Sequence, residues 1–208
     1  MKSSISFAMA FFSLLITLPT SNPSAASLED YIANYNPGQA HAIATAIEDA
    51  GSTFHIDPRF LAAIYKIESG FHNDAVSSAG ARGIAQLMPG TAAGLGVNPY
   101  DYRDNIYGGA KYLREMLDIH ANKGVYQYNY ALASYNAGPG NVENTIPSYT
   151  YDYISMVQGA YKELLRYTPS SNALRVSPPT SQNPAEQLLM LYKLKEIKLL
   201  SHHKKRRS

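Results

Sequence analysis

Apolar positions along this chain recur three and four residues apart, and nowhere do they alternate over the length of a strand. The pattern predicts helices joined by Gly-rich loops. Residues 28–50 read as helical, interrupted at Asn36-Pro37-Gly38. A further helix starts at Asp57-Pro58, with Asp57 as N-cap and Pro58 at the first position, where its missing N–H costs nothing. It runs to about Ser69 and stops at Gly70. A loop rich in Ser, Ala and Gly leads to Arg82, and short helical turns are expected over 84–88 and 91–95, punctuated by Pro89 and Gly90. Asp104 is the expected cap of a longer helix carrying Ile106, Ala110, Leu113, Leu117 and His120 and ending at Gly124. Another helix covers about 127–136, before Gly138-Pro139-Gly140. The next covers about 150–167, with Ile154, Val157, Tyr161 and Leu164 on one face.

Both ends depart from this pattern. Lys2, an apolar run from Phe7 to Leu18, Pro19 and then Ser24-Ala25-Ala26 have the form of a secretory signal peptide over 1–26. The run is shorter than the roughly 20 residues a membrane-spanning helix needs. At the other end, Pro169, Pro178, Pro179 and Pro184 mark an extended linker over 169–184. Residues 185–208 then read as an amphipathic helix and a basic tail. Between them lie an N-terminal helical segment, 27–54, and the main helical domain, 55–168.

Composition narrows the chemistry. The 208 residues contain no Cys, which removes disulfides, thiolate zinc sites, a cysteine nucleophile and a lipid anchor on cysteine. There is no Trp but there are 17 Tyr, so aromatic contacts to a ligand fall mostly to tyrosine. The net charge of +2 hides a division: residues 27–168 carry −5 and residues 169–208 carry +6. The body offers no field for nucleic acid, and an anionic surface or a protein partner is to be sought at the tail. No metal-protease, phosphate-loop, dinucleotide or nucleophile-elbow motif is present, and no metal or cofactor is expected. Glu68 and His72 are separated by the helix stop at Gly70, and His202-His203 read as part of a solvated tail.

One residue does not suit its surroundings. Glu68 lies three, four and seven positions after Tyr65, Ile64 and Leu61, on the stripe that should be buried. Burial there, at the negative end of the helix dipole, raises a carboxyl pKa and keeps it protonated, as a general acid requires. On position alone, a surface Glu paired with Lys66 or Arg82 is the competing reading.

The neighbouring sequence favours the acid. Glu68-Ser69-Gly70-Phe71, then the stretch from Ala75 to Ala92 containing Ala81-Arg82-Gly83-Ile84-Ala85-Gln86-Leu87-Met88-Pro89-Gly90-Thr91, resembles the soluble lytic transglycosylase family. The resemblance continues at Asn105-Ile106-Tyr107-Gly108-Gly109 and at Ala131-Leu132-Ala133-Ser134-Tyr135-Asn136-Ala137-Gly138. It closes more weakly at Ile146-Pro147 with Tyr153-Ile154 and Val157. These ordered blocks cover about residues 55–166.

The resemblance implies a mainly α, lysozyme-like domain with a substrate groove and little or no β structure. It implies an exported enzyme of the periplasm or cell envelope, with no membrane span after signal cleavage. Its activity would be to cleave peptidoglycan between N-acetylmuramic acid and N-acetylglucosamine. Glu68 would act as acid and then as base, leaving 1,6-anhydromuramic ends. Ser77 matches a position near the substrate's N-acetyl group, and Gln86 and Met88 match positions lining the groove. Tyr135 matches a tyrosine whose hydroxyl approaches the catalytic carboxyl. Tyr153 matches one facing the same cleft, and Asn136 a residue that shapes the helix end or binds weakly.

Three features depart from the family's pattern. Ala85 replaces a frequent Met, Tyr149 stands where a glutamate is common, and the large helical superstructure of some members is not expected ahead of residue 55. A hydrolytic muramidase of the goose-lysozyme kind and a non-catalytic peptidoglycan-binding scaffold are the competing functions.

Overall fold

The computed structural model describes residues 26–168, so the expected signal segment, the Pro-rich linker and the basic tail lie outside the described residues. Seven α-helices follow one another within it: α1 (Leu28–Ala33), α2 (Ala40–Phe54), α3 (Pro58–Ser69), α4 (Pro89–Leu95), α5 (Tyr102–Ile119), α6 (Gln127–Ala137) and α7 (Tyr151–Leu164). Among the described residues there is no strand, only isolated bridges, and no helix is long and apolar enough to cross a membrane. The helical class expected from the apolar spacing holds.

Helix α3 begins as its sequence dictates. The Asp57 carboxylate accepts from Arg59 N at 2.9 Å, Pro58 occupies the first turn, and the chain leaves through Gly70 in a left-handed conformation. Asp57 also accepts from the Tyr161 hydroxyl at 2.9 Å, which ties the start of α3 to α7. Phe60 fills the space between these helices, edge-on to Tyr128 at 5.3 Å and to Tyr161 at 5.2 Å. Five consecutive residues of α6, Ala131 to Tyr135, are buried, so this helix has neighbours all round. Residues 27–54 are built into the same core: Leu28, Ile32, Ile43, Ile47 and Ala50 are fully buried. Thr168 N donates to Ala26 O at 2.9 Å, closing the two ends of the described chain on each other.

Several boundaries differ from expectation. The cap of α5 is Asp101, whose carboxylate accepts from Arg103 N and Asp104 N at 2.9 Å; Asp104 lies inside the first turn and accepts from Asn98 N. The apolar pattern starts only at Ile106, and so hides this polar first turn. Helix α5 ends at Ile119, and a 3-10 segment (Ala121–Tyr126) follows. The final helix is shorter than expected, spanning Tyr151–Leu164. Residues 84–88 are not a helical turn. Arg82 instead exchanges both backbone hydrogen bonds with Leu87, and Gln86 adopts φ 48°.

Candidate active site

The loop between α3 and α4 is fastened to the end of α3 and the start of α5. The Ser69 hydroxyl donates to Ile84 O at 2.9 Å. From the other side Asn105, fully buried, accepts from Ala85 N at 2.7 Å and donates to Arg82 O at 2.9 Å and to Pro99 O at 3.1 Å. Gly83, at φ 74°, passes so close to Asn105 that a Cβ would lie 2.6 Å from its amide nitrogen. The Gln86 side chain donates to Ala75 O and Gly83 O and so holds its own left-handed backbone in place.

Glu68 stands at the centre of this arrangement, partly buried in the last turn of α3. Three tyrosines from three helices surround it. The Tyr153 hydroxyl, from α7, donates to Glu68 Oε1 at 2.6 Å. The Tyr65 hydroxyl is committed to Ile106 O at 2.7 Å, and that of Tyr135 to Ala85 O at 2.9 Å. Burial holds all three phenols above their ordinary range, so each remains a protonated donor. Gly109 makes room for this cluster: a Cβ there would meet Ala85 Cβ at 2.5 Å, the Tyr65 hydroxyl at 2.9 Å and the Tyr135 hydroxyl at 3.0 Å.

The electrostatics follow. With two of the three phenols turned to backbone carbonyls, Glu68 receives only the Tyr153 bond, and burial outweighs it. Its carboxyl is pushed up from 4.5 to about 7. The surface ion pair left open by position alone does not form. Lys66 pairs with Glu163 at 3.5 Å beneath the rings of Tyr31 and Tyr35, and Arg82 lies over Tyr100. No group of three or more metal-ligating side chains exists among the described residues.

The other expected site residues are distributed unevenly. Tyr153 touches the acid, whereas the Tyr135 hydroxyl, expected on the carboxyl, is bonded to Ala85 O. The Ser77 hydroxyl accepts from Ala81 N at 3.0 Å in its own turn. Gln86 braces the loop, and Met88 is exposed just before α4. Asn136 is exposed near the end of α6. The residues that sequence reasoning passed over are Asn105 and Tyr65. For Tyr65 the signal was indirect: Gly109, inside a helix at a cost of about 1 kcal/mol relative to Ala, marks the close approach of its hydroxyl, while Asn105 is the neighbour that Gly83 makes room for.

Comparison with known proteins finds one family and several relatives. The family described as Transglycosylase SLT domain matches residues 45–153, just over half of the chain. The transglycosylase of Enterobacteria phage PRD1 is 43% identical over 90 residues, 43% of this chain and 32% of that protein. The membrane-bound lytic murein transglycosylase F of Cellvibrio japonicus (strain Ueda107) is 43% identical over 102 residues, 48% of this chain and 21% of that protein. A solved structure, an inactive mutant of the lytic transglycosylase Slt from Pseudomonas aeruginosa, aligns at 26% identity with a TM-score of 0.49, over 64% of this chain and 25% of that one. The matched region thus spans about a third or less of the length of these curated relatives. Over the segment that carries Glu68 and Tyr153, the chain belongs to the SLT transglycosylase domain family.

Proposed function

We propose that this protein is a lytic transglycosylase of the cell envelope that cleaves peptidoglycan glycan strands, with Glu68 as its acid and base. The observation that carries the reading is the Glu68 carboxyl itself, raised to about 7 by burial and held by one phenol. A carboxyl with that pKa is protonated often enough to donate at neutral pH and can recover the proton afterwards.

The steps balance without a second carboxylate. With Oε1 held by Tyr153, Oε2 is left to donate its proton to the glycosidic oxygen, and the bond from C1 of the muramic sugar to that oxygen breaks. The Glu68 carboxylate then takes the proton of the 6-hydroxyl, whose oxygen closes on C1 to give the 1,6-anhydro ring. The acid is restored and no water is consumed. A paired-carboxylate hydrolase needs a second acid to activate water or attack the sugar. The only influences that shift Glu68 are burial and Tyr153, with no neighbouring carboxylate among them. Ser77, Gln86, Met88 and Asn136 are assigned to sugar binding on the strength of the family resemblance.

Product mass tests the reading. Sacculi digested with the purified protein should release muropeptides lighter by one water than hydrolytic products. Hydrated products would make the protein a muramidase, and no products a binding scaffold. The hydrogen bond is tested separately. It stabilises the charged carboxylate, so Tyr153→Phe should push the Glu68 pKa higher and shift the alkaline limb of the pH–rate profile upward. Turnover at the optimum should fall by roughly 10- to 100-fold, because a bond to a charged group is worth roughly 1.5–3 kcal/mol. A limb that stays in place would separate Tyr153 from the titration.

A further inference from the structure

The exit from α3 holds a backbone strain that the reaction leaves unexplained. Gly70 and Phe71 follow each other in the left-handed region, at φ 60° and φ 67°. Glycine adopts that conformation freely, but for a bulky aromatic residue it is an outlier that persists only where the surroundings impose it. Two contacts impose it here. The Phe71 ring is fully buried, with the rings of Tyr35 and Tyr31 centred 5.8 Å and 6.4 Å away. The Phe71 carbonyl accepts from Asn36 Nδ2 at 3.0 Å.

Both contacts come from α1 and the turn after it, which precede every motif of the family resemblance. That turn is itself anchored: Tyr35 N and Asn36 N each donate to Ile32 O at 2.9 Å, and Ile32 is fully buried. The same segment takes a second hold on α3. The Lys66 ammonium lies 5.4 Å from the centre of the Tyr35 ring and 5.8 Å from that of Tyr31. Glu68 therefore falls between two gripped residues, Lys66 before it and Phe71 after it. Two positions along a helix are about 200° apart around its axis, so Lys66 and Glu68 project to opposite sides. The segment acts on the acid through the helix, while the hydrogen bond to the carboxyl comes from Tyr153.

The geometry points to Tyr31, Tyr35 and Asn36 as positioning residues for Glu68. By seating Lys66 and pinning Phe71 they fix the last turn of α3, and so keep the carboxyl in its dry place against the Tyr153 hydroxyl. This rests on the acid role proposed above and adds the element that holds the acid in place. Asn36 is the critical member, because its amide supplies the bond that fixes Phe71 through the backbone. Without that bond Phe71 relaxes to negative φ, the end of α3 loosens, and water reaches Glu68. The titratable groups that face Glu68 are Tyr65 of its own helix, Tyr135 of α6 and Tyr153 of α7. All three are protonated phenols, so access of water sets the direction in which the carboxyl titration moves.

Asn36→Ala tests this in the full-length protein, by NMR titration of the Glu68 carboxyl carbon and by kinetics on sacculi. The midpoint should fall from about 7 toward about 6, because hydration favours the charged form. At pH 7 the protonated fraction then drops from about a half to about a tenth, so kcat should fall roughly fivefold with KM unchanged. The alkaline limb of the pH–rate profile should move to lower pH, opposite to the shift expected for Tyr153→Phe. Tyr35→Leu, at a half-buried ring, should move the midpoint the same way and serves as the test if Asn36→Ala does not fold. A midpoint that stays in place in the folded variants, or a rise in KM at constant kcat, overturns the proposal. The titration needs no turnover. A lowered midpoint without loss of activity supports the positioning and overturns instead the acid role of Glu68.

Discussion

Glu68→Gln is expected to lower turnover of sacculi by roughly 10³-fold, the usual worth of a positioned acid–base group, while making the protein more stable above neutral pH. The two effects share one cause. Burial raises the carboxyl from 4.5 to about 7 in the folded protein. Below pH 4.5 the group is protonated whether the chain is folded or not, and it contributes nothing to pH dependence. Between 4.5 and 7 the unfolded chain releases the proton first, so stability falls as pH rises. Above 7 the penalty is constant, at most roughly 3 kcal/mol for a shift of this size. Glutamine has the same shape and accepts the Tyr153 bond but cannot ionise. Denaturant unfolding of the two proteins should therefore agree near pH 4 and separate in favour of Gln at pH 8. The same difference at both pH values would mean that Glu68 does not hold its proton on folding.

Asn105→Ala is expected to destabilise the fold by about 3 kcal/mol, the largest loss available from one side chain in the site. The side chain is fully buried and makes three hydrogen bonds at 2.7–3.1 Å, to Ala85 N, Arg82 O and Pro99 O. Truncation leaves that N–H and one or both carbonyls desolvated without partners. Asn105→Asp keeps the volume and can still accept from Ala85 N, but it loses both donated bonds and sets a charge against Arg82 O and Pro99 O; it should not rescue the protein. Thermal unfolding checks the magnitude. Ala85 also carries the carbonyl that occupies Tyr135, so the loosened loop should lower activity beyond what the unfolded fraction accounts for. Full specific activity of the folded fraction would confine Asn105 to the scaffold.

Local rules were sufficient for much of the fold. Asp57-Pro58 and Gly70 bound α3 because a cap, an N1 proline and a left-handed stop act within one turn, and all three are found where the sequence places them. The same rules failed at α5, where the cap lies five residues ahead of the first apolar position, Ile106, and at 84–88, where two residues of one loop pair with each other. Loop pairing depends on a buried Asn from a distant helix, which no nearby pattern announces.

The sequence by itself determined that the chain is helical, that Glu68 falls on an apolar stripe, and which family its motifs resemble, because periodicity and short motifs are properties of neighbours along the chain. Only the tertiary structure decided which phenol holds the acid. The charge of Glu68 acts on Tyr65, Tyr135 and Tyr153 alike, and their hydroxyls differ in which acceptor each one meets. Ile106 O and Ala85 O take two of them, one hydrogen bond remains for the carboxylate, and desolvation prevails.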